Sequence, residues 1–362
     1  MQSSPLTKTA FIVVILFLAF AGLYYAKPFL VPVAIAGILS MLFLPMSRWF
    51  EAHNIHRGVA IVICILLLVL FFAGIGALLA WQISDLSQDA ANMEKNITSS
   101  IDKAKQALSN TLGISPEKQQ EMMKKQQSSG GGGMTNIVTG VMSSIMGIAV
   151  DTLLVLVYIF LFMFYRTRIK NFILKLVRVE EKPKTTKIID DSSRVAFKYL
   201  SGLGFMIVLL WIMYGIGFSI AGVKNALFFA VLCGVLEIIP FVGNISGTAL
   251  TMLMGLTQGG GSNIIIGILI TYVLVQFIQT YILEPLVVGA EVNLNPLATI
   301  LVIVLGETVW GVPGMILAVP MLGITKIICD NVEPLKPFGY LIGEEKKKKS
   351  PGFIDKVKGW FK

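Results

Sequence analysis

Two apolar stretches of this chain are long enough to cross a bilayer, yet each is broken near its middle by proline and glycine. The first reads NALFFAVLCGVLEIIPFVGNISGTALTMLMGL (Asn225 to Leu256), the second NPLATILVIVLGETVWGVPGMILAVPMLGITK (Asn295 to Lys326). Each places one glutamate, Glu237 or Glu307, just before its break. In hydrocarbon every backbone N–H and C=O needs an internal partner, so an interrupted helix persists only where protein buries it or it lines a wet cavity. A matched pair of such breaks is the sequence pattern of a buried binding site at membrane depth.

Composition agrees. The 362 residues are 55% hydrophobic and 14% charged, with a mean hydropathy of +0.77, where soluble domains run at about 45–50% apolar and about 25% charged. The chain is expected to be an all-α polytopic membrane protein. Its net charge of +9 sits in loops and tail beside apolar runs, where anionic lipid and the positive-inside bias account for it, so no nucleic-acid partner is expected. Cys64, Cys233 and Cys329 lie in or at the end of apolar runs without CxxC spacing and are expected to be packing thiols.

Apolar runs of spanning length cover Ala10 to Ala26, Pro28 to Met46, Val59 to Trp81, Ile145 to Tyr165, Gly202 to Gly222 and Ile264 to Leu283. With the two broken stretches they make about eight membrane segments. Tyr24, Tyr25, Trp49, Trp81, Tyr165, Tyr199 and Tyr281 mark run ends, as interfacial aromatics do. Ala19-Phe20-Ala21 resembles a signal-peptide cleavage site, but the next apolar run begins at Pro28, and the first run is taken as a span. Residues 166 to 199 carry ten Lys/Arg against four acids, whereas residues 82 to 143 carry six of each. The basic loops should be cytoplasmic, with both termini inside and residues 82 to 143 outside.

Between Lys224 and the basic tail, an odd number of net crossings is satisfied either by two full crossings or by two re-entrant hairpins. A shift of 70 residues lays Asn225 on Asn295, Leu227 on Leu297, Glu237 on Glu307 and Val242 on Val312. Each unit is then one plain span followed by one broken stretch, and as hairpins the two enter from opposite sides. This inverted repeat favours the hairpins. The expected organisation is 1–81, three spans; 82–143, an extracytoplasmic helical segment; 144–201, a fourth span and a basic amphipathic helix; 202–330, a core of two repeats, 202–257 and 263–328; and 331–362, a basic amphipathic tail.

The segments outside the spans carry patterns of their own. From Ile83 to Leu108 apolar residues recur three and four apart, a narrow coiled-coil-like seam suited to packing on this chain or a neighbouring subunit. Ser128 to Gly133 is a flexible linker. Ile169, Phe172, Ile173, Leu176 and Val177 form one helical face opposite Lys170, Lys175 and Arg178, a helix suited to lying on the inner leaflet. The tail from Lys346 repeats that pattern with Phe353, Ile354, Val357, Trp360 and Phe361.

Motifs of enzyme chemistry are missing. His53 and His56, near Glu51, read as ordinary loop residues rather than metal ligands, no histidine lies in a span, Asp151 has no intramembrane aspartate partner, and no GxxxxGKS/T loop is present. No enzymatic activity, cofactor or metal site is expected. The intramembrane carboxylates are the strongest signal, because a carboxylate at mid-bilayer is costly unless neutralised, hydrated or paired. Glu237 and Glu307 are therefore candidates for ion coupling or solute binding, with Asn244 beside the first break. The alternative role is capping of the half-helix that follows each. Gln276, Gln279 and Glu284 give one helix a polar stripe that could bond a polar solute. Pro240, Gly243 and Gly247, then Pro285, Asn295, Pro296, Gly311, Pro313 and Gly314, are the candidate hinge and hairpin residues; Gly243 and Gly247 also match a GxxxG packing motif.

The blocks EIIPFVGNISG, YILEPLVVG, LNP and VWGVPGMILAVP together resemble the autoinducer-2 exporter family of bacterial membrane proteins, over nearly the whole chain. The correspondence falls on Pro240, Gly243, Gly247, Glu284, Pro285, Gly289, Asn295, Pro296, Gly311, Gly314 and Pro320. The resemblance implies eight membrane segments with re-entrant hairpins in the bacterial inner membrane, secondary export of a small polar solute, and a homo-oligomer, a pentamer being the implied form. The family also holds sodium or lithium/proton antiporters, so coupling to H⁺ or Na⁺ is expected and the cargo stays open. Three classes remain: an ion-coupled exporter, a cation/proton antiporter, and a non-transporting scaffold, which would have no use for buried carboxylates.

Overall fold

A computed structural model describes residues 5–88, 151–239, 242–257, 261–288 and 294–344. The seam beyond Gln88, the glycine linker, Pro240, Gly289 and the lysine-rich tail lie outside the described residues. Those described are almost entirely helical, with a single isolated bridge between Leu294 and Gly343. In chain order the helices are α1 (Pro5–Tyr25), α2 (Lys27–Ala52), α3 (Arg57–Gln88), α4 (Asp151–Phe164), α5 (Arg166–Leu176), α6 (Lys182–Ile220), α7 (Ala226–Leu236), α8 (Val242–Thr257), α9 (Gly261–Ile278), α10 (Pro296–Trp310), α11 (Val312–Asn331) and α12 (Lys336–Ile342). Five are long and apolar enough to cross a membrane, and α4 with α5 makes a sixth candidate bent by 66°. The bend falls at Tyr165, where the sequence changes from LFMFY to RTRIKN. Charged residues cannot follow the apolar run into hydrocarbon, so the chain turns along the interface.

Two helix joints differ from the run boundaries read in the sequence. Only Ala26 separates α1 from α2, and hydrogen bonds cross it, Ala26 N–H to Gly22 O and Leu30 N–H to Ala26 O, both 2.9 Å. The second half of the basic segment, from Lys182, and the fifth span are likewise one uninterrupted helix, α6, opened by Pro183 in its first turn, a position where the missing N–H costs nothing.

Charge collects at one end of the bundle. Arg166 pairs with Glu51 at 2.6 Å, Ser47 Oγ donates to the other Glu51 oxygen at 2.9 Å, Arg57 donates to the Met163 carbonyl at 2.8 Å, and Lys170 pairs with Asp190 at 3.0 Å. Such pairs contribute only about 0–1 kcal/mol each when exposed, but they fix the ends of α2, α3, α4, α5 and α6 on one charged face.

Packing begins from α6. Ser192, Ala196, Gly202, Met206, Leu210, Tyr214 and Phe218 are buried, and from Gly202 onward they recur every four residues, one ridge along a helix. This ridge packs with Phe228, Phe229, Ala230 and Cys233 of α7 and Ile268 and Val275 of α9 in the largest core. A second core joins Ala36, Ile61, Ile159 and Met163 of α2, α3 and α4. Large apolar side chains such as Phe17, Leu70 and Phe72 point outward, as lipid-facing positions do.

Both broken stretches fold as antiparallel helical hairpins. In the first, α7 and α8 approach so closely that a Cβ at Gly243 would land on the Leu236 carbonyl, and one at Gly247 would crowd Cys233. In the second, the backbones of Gly306 and Gly314 touch and the chain reverses at Gly311, whose φ is +69°. That left-handed value is readily adopted only by glycine. Asn295 caps α10 by accepting from the Leu297 N–H at 2.9 Å, and Pro296 and Pro313 each occupy a first turn.

The two hairpins open at opposite ends of the bundle. The first follows directly from Ile220, at the end of α6 away from the charged face. The base of the second is tied down by Asn295 N–H to Ile342 O at 2.8 Å, and Glu333 beside it interacts with Lys336 and with Lys184 in the first turn of α6. Each pair of arms returns to the face it left, as the inverted-hairpin arrangement requires. Gly234 lies against Trp211 and the Ile207 carbonyl, which puts the first tip about twelve residues, or roughly 18 Å, down α6 from Ile220. That is near the middle of a hydrocarbon layer about 30 Å thick. Ile239 at this tip packs on Ile303, Met315 and Ala318, midway along the second hairpin.

Candidate functional site

A polar chain runs through the interior at the depth of the first hairpin tip. Gln279 Nε2 donates to Glu237 Oε1 at 2.9 Å, Gln276 Nε2 donates to Gln279 Oε1 at 3.1 Å, and Gln276 Nε2 also lies 3.3 Å from the Tyr214 hydroxyl. Gln279 is only 4% exposed and Tyr214 1%, so these bonds replace hydration that neither side chain can obtain. Each element supplies its residue for a local reason. Glu237 ends α7, where the chain leaves the helix at IIPFVG; Tyr214 belongs to the buried ridge of α6; Gln276 lies in the last turn of α9.

The turn after α9 adds a second carboxylate. Residues Gln279–Val288 form a π-helix, whose i→i+5 bonding stacks residues five apart. Gln279 and Glu284 therefore share a face, and Gln279 interacts with the Glu284 carboxyl, which an α-helix would carry well round to another side. Pro285 gives the reason for the widening: it has no N–H to donate and its ring is incompatible with a regular α turn. Glu284 itself is exposed.

On the hairpin side the polar atoms are not satisfied. Among the described residues, Glu237 Oε2, Asn244 Oδ1, Thr248 Oγ1 and Trp211 Nε1 are buried without a hydrogen-bond partner. Asn244 and Thr248 stand one turn apart on α8, each next in sequence to a glycine, Gly243 or Gly247, that presses on α7. Buried polar groups in native proteins are almost always paired. The Glu237 oxygen, beside the bonds already made with Gln279, is a place where a proton, a cation or a polar solute can complete the bonding.

Of the residues singled out in the sequence, Glu237, Gln276, Gln279 and Glu284 are thus brought together, with Asn244 on the neighbouring arm. Glu307 is placed elsewhere. It is exposed on α10 one turn before Gly311, near the apex that Trp310 Nε1 fastens to the Leu23 carbonyl at 3.1 Å. Its backbone oxygen accepts from the Gly311 N–H at 2.7 Å. Tyr214, Trp211 and Thr248 escaped the sequence reading. Tyr214 could have been found as the polar-tipped member of a four-residue ridge, and Thr248 as the hydroxyl one turn beyond Asn244.

The pairing across the hairpin is testable. Gln279→Leu removes the donor to a buried carboxylate, which costs about 1–3 kcal/mol. A lower melting temperature in detergent is expected, with a smaller loss when Glu237 is already Leu. Equal losses in both backgrounds would mean that the two side chains do not interact.

Comparison with known proteins agrees with this architecture. Residues 11–333 match the family model described as AI-2E family transporter. The chain is 26% identical over 357 residues to "Putative transport protein YueF" of Bacillus subtilis, covering 89% of this chain and 91% of the relative. It is 25% identical to "Putative transport protein YhhT" of Escherichia coli K12, covering 96% of each. It is 24% identical to the "Sodium-lithium/proton antiporter" of Halobacillus andaensis, covering 88% of this chain and 94% of the relative. With a family match over nearly its whole length and helices long and apolar enough to cross a membrane, the chain belongs to the AI-2E family of membrane transporters.

Proposed function

We propose that the protein is a secondary exporter of a small polar solute of the autoinducer-2 kind, driven by an H⁺ or Na⁺ gradient, with Glu237 as the coupling carboxylate. The observation that carries this reading is the asymmetric bonding of Glu237: one oxygen is held by Gln279 while the other is buried and has no partner among the described residues. A carboxylate fixed on one side and open on the other can exchange a proton or cation without losing its position. Gln276, Gln279, Tyr214 and Glu284 supply the donors and acceptors that a polar solute needs.

A second reading is a Na⁺(Li⁺)/H⁺ antiporter without organic cargo. It is favoured by the open carboxylate oxygen of Glu237, since a hard cation prefers oxygen ligands. A relative carries that name. Purified protein in liposomes, assayed in parallel for pH-linked Na⁺ flux and for efflux of a small polar solute, separates the two. Solute efflux dependent on the gradient supports the exporter; Na⁺ flux alone supports the antiporter; neither flux would sink both.

In the proposed setting the charged face is cytoplasmic, both termini lie inside a bacterial inner membrane, and the outer helix from Ile83 helps assemble a homo-oligomer, a pentamer by family resemblance. Single cysteines at positions 110 and 175, probed with a membrane-impermeant thiol reagent in intact cells, are expected to label at 110 only. Labelling at 175 alone would invert the topology.

A further inference from the structure

The elbow between α4 and α5 holds a basic cavity that the transport reading does not use. It encloses about 750 Å³ and is lined by Arg57, Arg168, Lys175 and Lys182 together with aromatic and polar residues, and by no carboxylate. Arg168, Asn171, Phe172 and Lys175 recur at i, i+3, i+4 and i+7 on α5, so one face of this helix forms a wall. Arg57 contributes from the start of α3 with its Nε buried and unpartnered, its guanidinium above the Phe164 ring. Glu51, the acid that acts on Arg57, is occupied by Ser47 and Arg166. Four cations therefore converge where α4 gives way to α5, and the described residues lining the cavity include no carboxylate.

An anion that suits this cavity must also have an apolar part. Below the elbow, Leu153, Val157, Leu161 and Phe164 of α4 are all exposed and lie on one helical side, a strip leading from the cavity into the apolar slab. Phe172 and Leu176 of α5 are exposed as well, at 60% and 69%, and flank the opening at interfacial depth. We propose that the elbow is a binding site for one anionic phospholipid, its phosphodiester headgroup among Arg57, Arg168, Lys175 and Lys182 and its acyl chains along the α4 strip. Basic pockets beside membrane helices recognise lipid headgroups in this way, each cation adding to the attraction. The site would tie the α4–α5 bend, and through Arg57 the start of α3, to the charge of the surrounding leaflet.

The test is native mass spectrometry of the full-length protein in detergent mixed with phosphatidylglycerol and phosphatidylcholine. The protein is expected to retain phosphatidylglycerol selectively. Arg168→Gln/Lys175→Gln/Lys182→Gln should lower that retention by about tenfold or more while phosphatidylcholine adducts and protein mass stay as in the parent. A control of equal charge change on the same face, Lys184→Gln/Lys187→Gln/Lys336→Gln, should retain the lipid. Lys175→Glu alone, at an exposed position, gives a milder variant if the triple one does not fold, and should lower retention severalfold. Three results would overturn the proposal: undiminished retention in the cavity variants, equal loss in the control, or full displacement of the lipid by inorganic phosphate, which would make the cavity a site for a soluble anion.

Discussion

Gly314→Val and Gly243→Val should each leave a chain that fails to assemble its hairpin. At Gly314 the position of a new Cβ coincides with the Gly306 carbonyl, and at Gly243 with that of Leu236. Backbone cannot move aside as the end of a flexible side chain can, so the arms must separate. Overpacking in a yielding core costs about 1–3 kcal/mol, and prising apart two helices that touch through their backbones lies at or above the top of that range. The expected result is loss of the folded protein from detergent extracts, or a melting temperature lowered by ten degrees or more at an order-of-magnitude slope of about 2–4 °C per kcal/mol. Gly22→Val and Gly74→Val are the controls, because nothing lies within 4 Å of a Cβ at either position. If all four variants melt alike, the close approach is not what holds the hairpins.

Much of this architecture was legible because hydrocarbon punishes irregular backbone. The proline and glycine at IIPFVG and VWGVPG mark the breaks, which the inverted repeat favours as hairpins over full crossings, and the basic run after Tyr165 could only lie outside the apolar slab. The polar stripe of Gln276 and Gln279 was visible from spacing alone. What the sequence concealed came from geometry that spacing does not encode. The sequence groups Glu284 with Gln276 and Gln279, but what turns it toward Gln279 is the π-helix from Gln279 to Val288, which spacing does not encode. Tyr214 is hidden among apolar neighbours, and only the packing of α9 against α6 reveals what its hydroxyl meets.

The 70-residue offset is instructive for the same reason. It equates Asn225 with Asn295, yet Asn295 caps its helix with its side chain while Asn225 makes no such bond and instead adopts a left-handed φ of +56°. It equates Glu237 with Glu307, yet the first tip ends halfway along the second hairpin, so one glutamate meets the glutamines of α9 and the other is exposed near the far apex. Both glutamates stand twelve residues after their asparagine, but the first arm ends at Leu236 and leaves Glu237 in the turn, whereas the second runs on to Trp310 and keeps Glu307 within the helix.

Glu237→Gln is the substitution on which the account turns. It keeps the size of the side chain and its hydrogen bond with Gln279, so insertion, assembly and melting temperature should stay close to the parent's. It removes the charge from the buried oxygen that has no partner, and with it any exchange of a proton or cation at that point. Glu307→Gln is the companion variant, at a carboxylate outside the polar chain. The decisive measurement is gradient-driven flux in liposomes, of solute and of Na⁺, for parent, Glu237→Gln and Glu307→Gln at matched protein content. The account predicts that Glu237→Gln loses nearly all flux or its dependence on pH and Na⁺, while Glu307→Gln keeps most of both; parent-like flux with unchanged ion dependence in Glu237→Gln would contradict it.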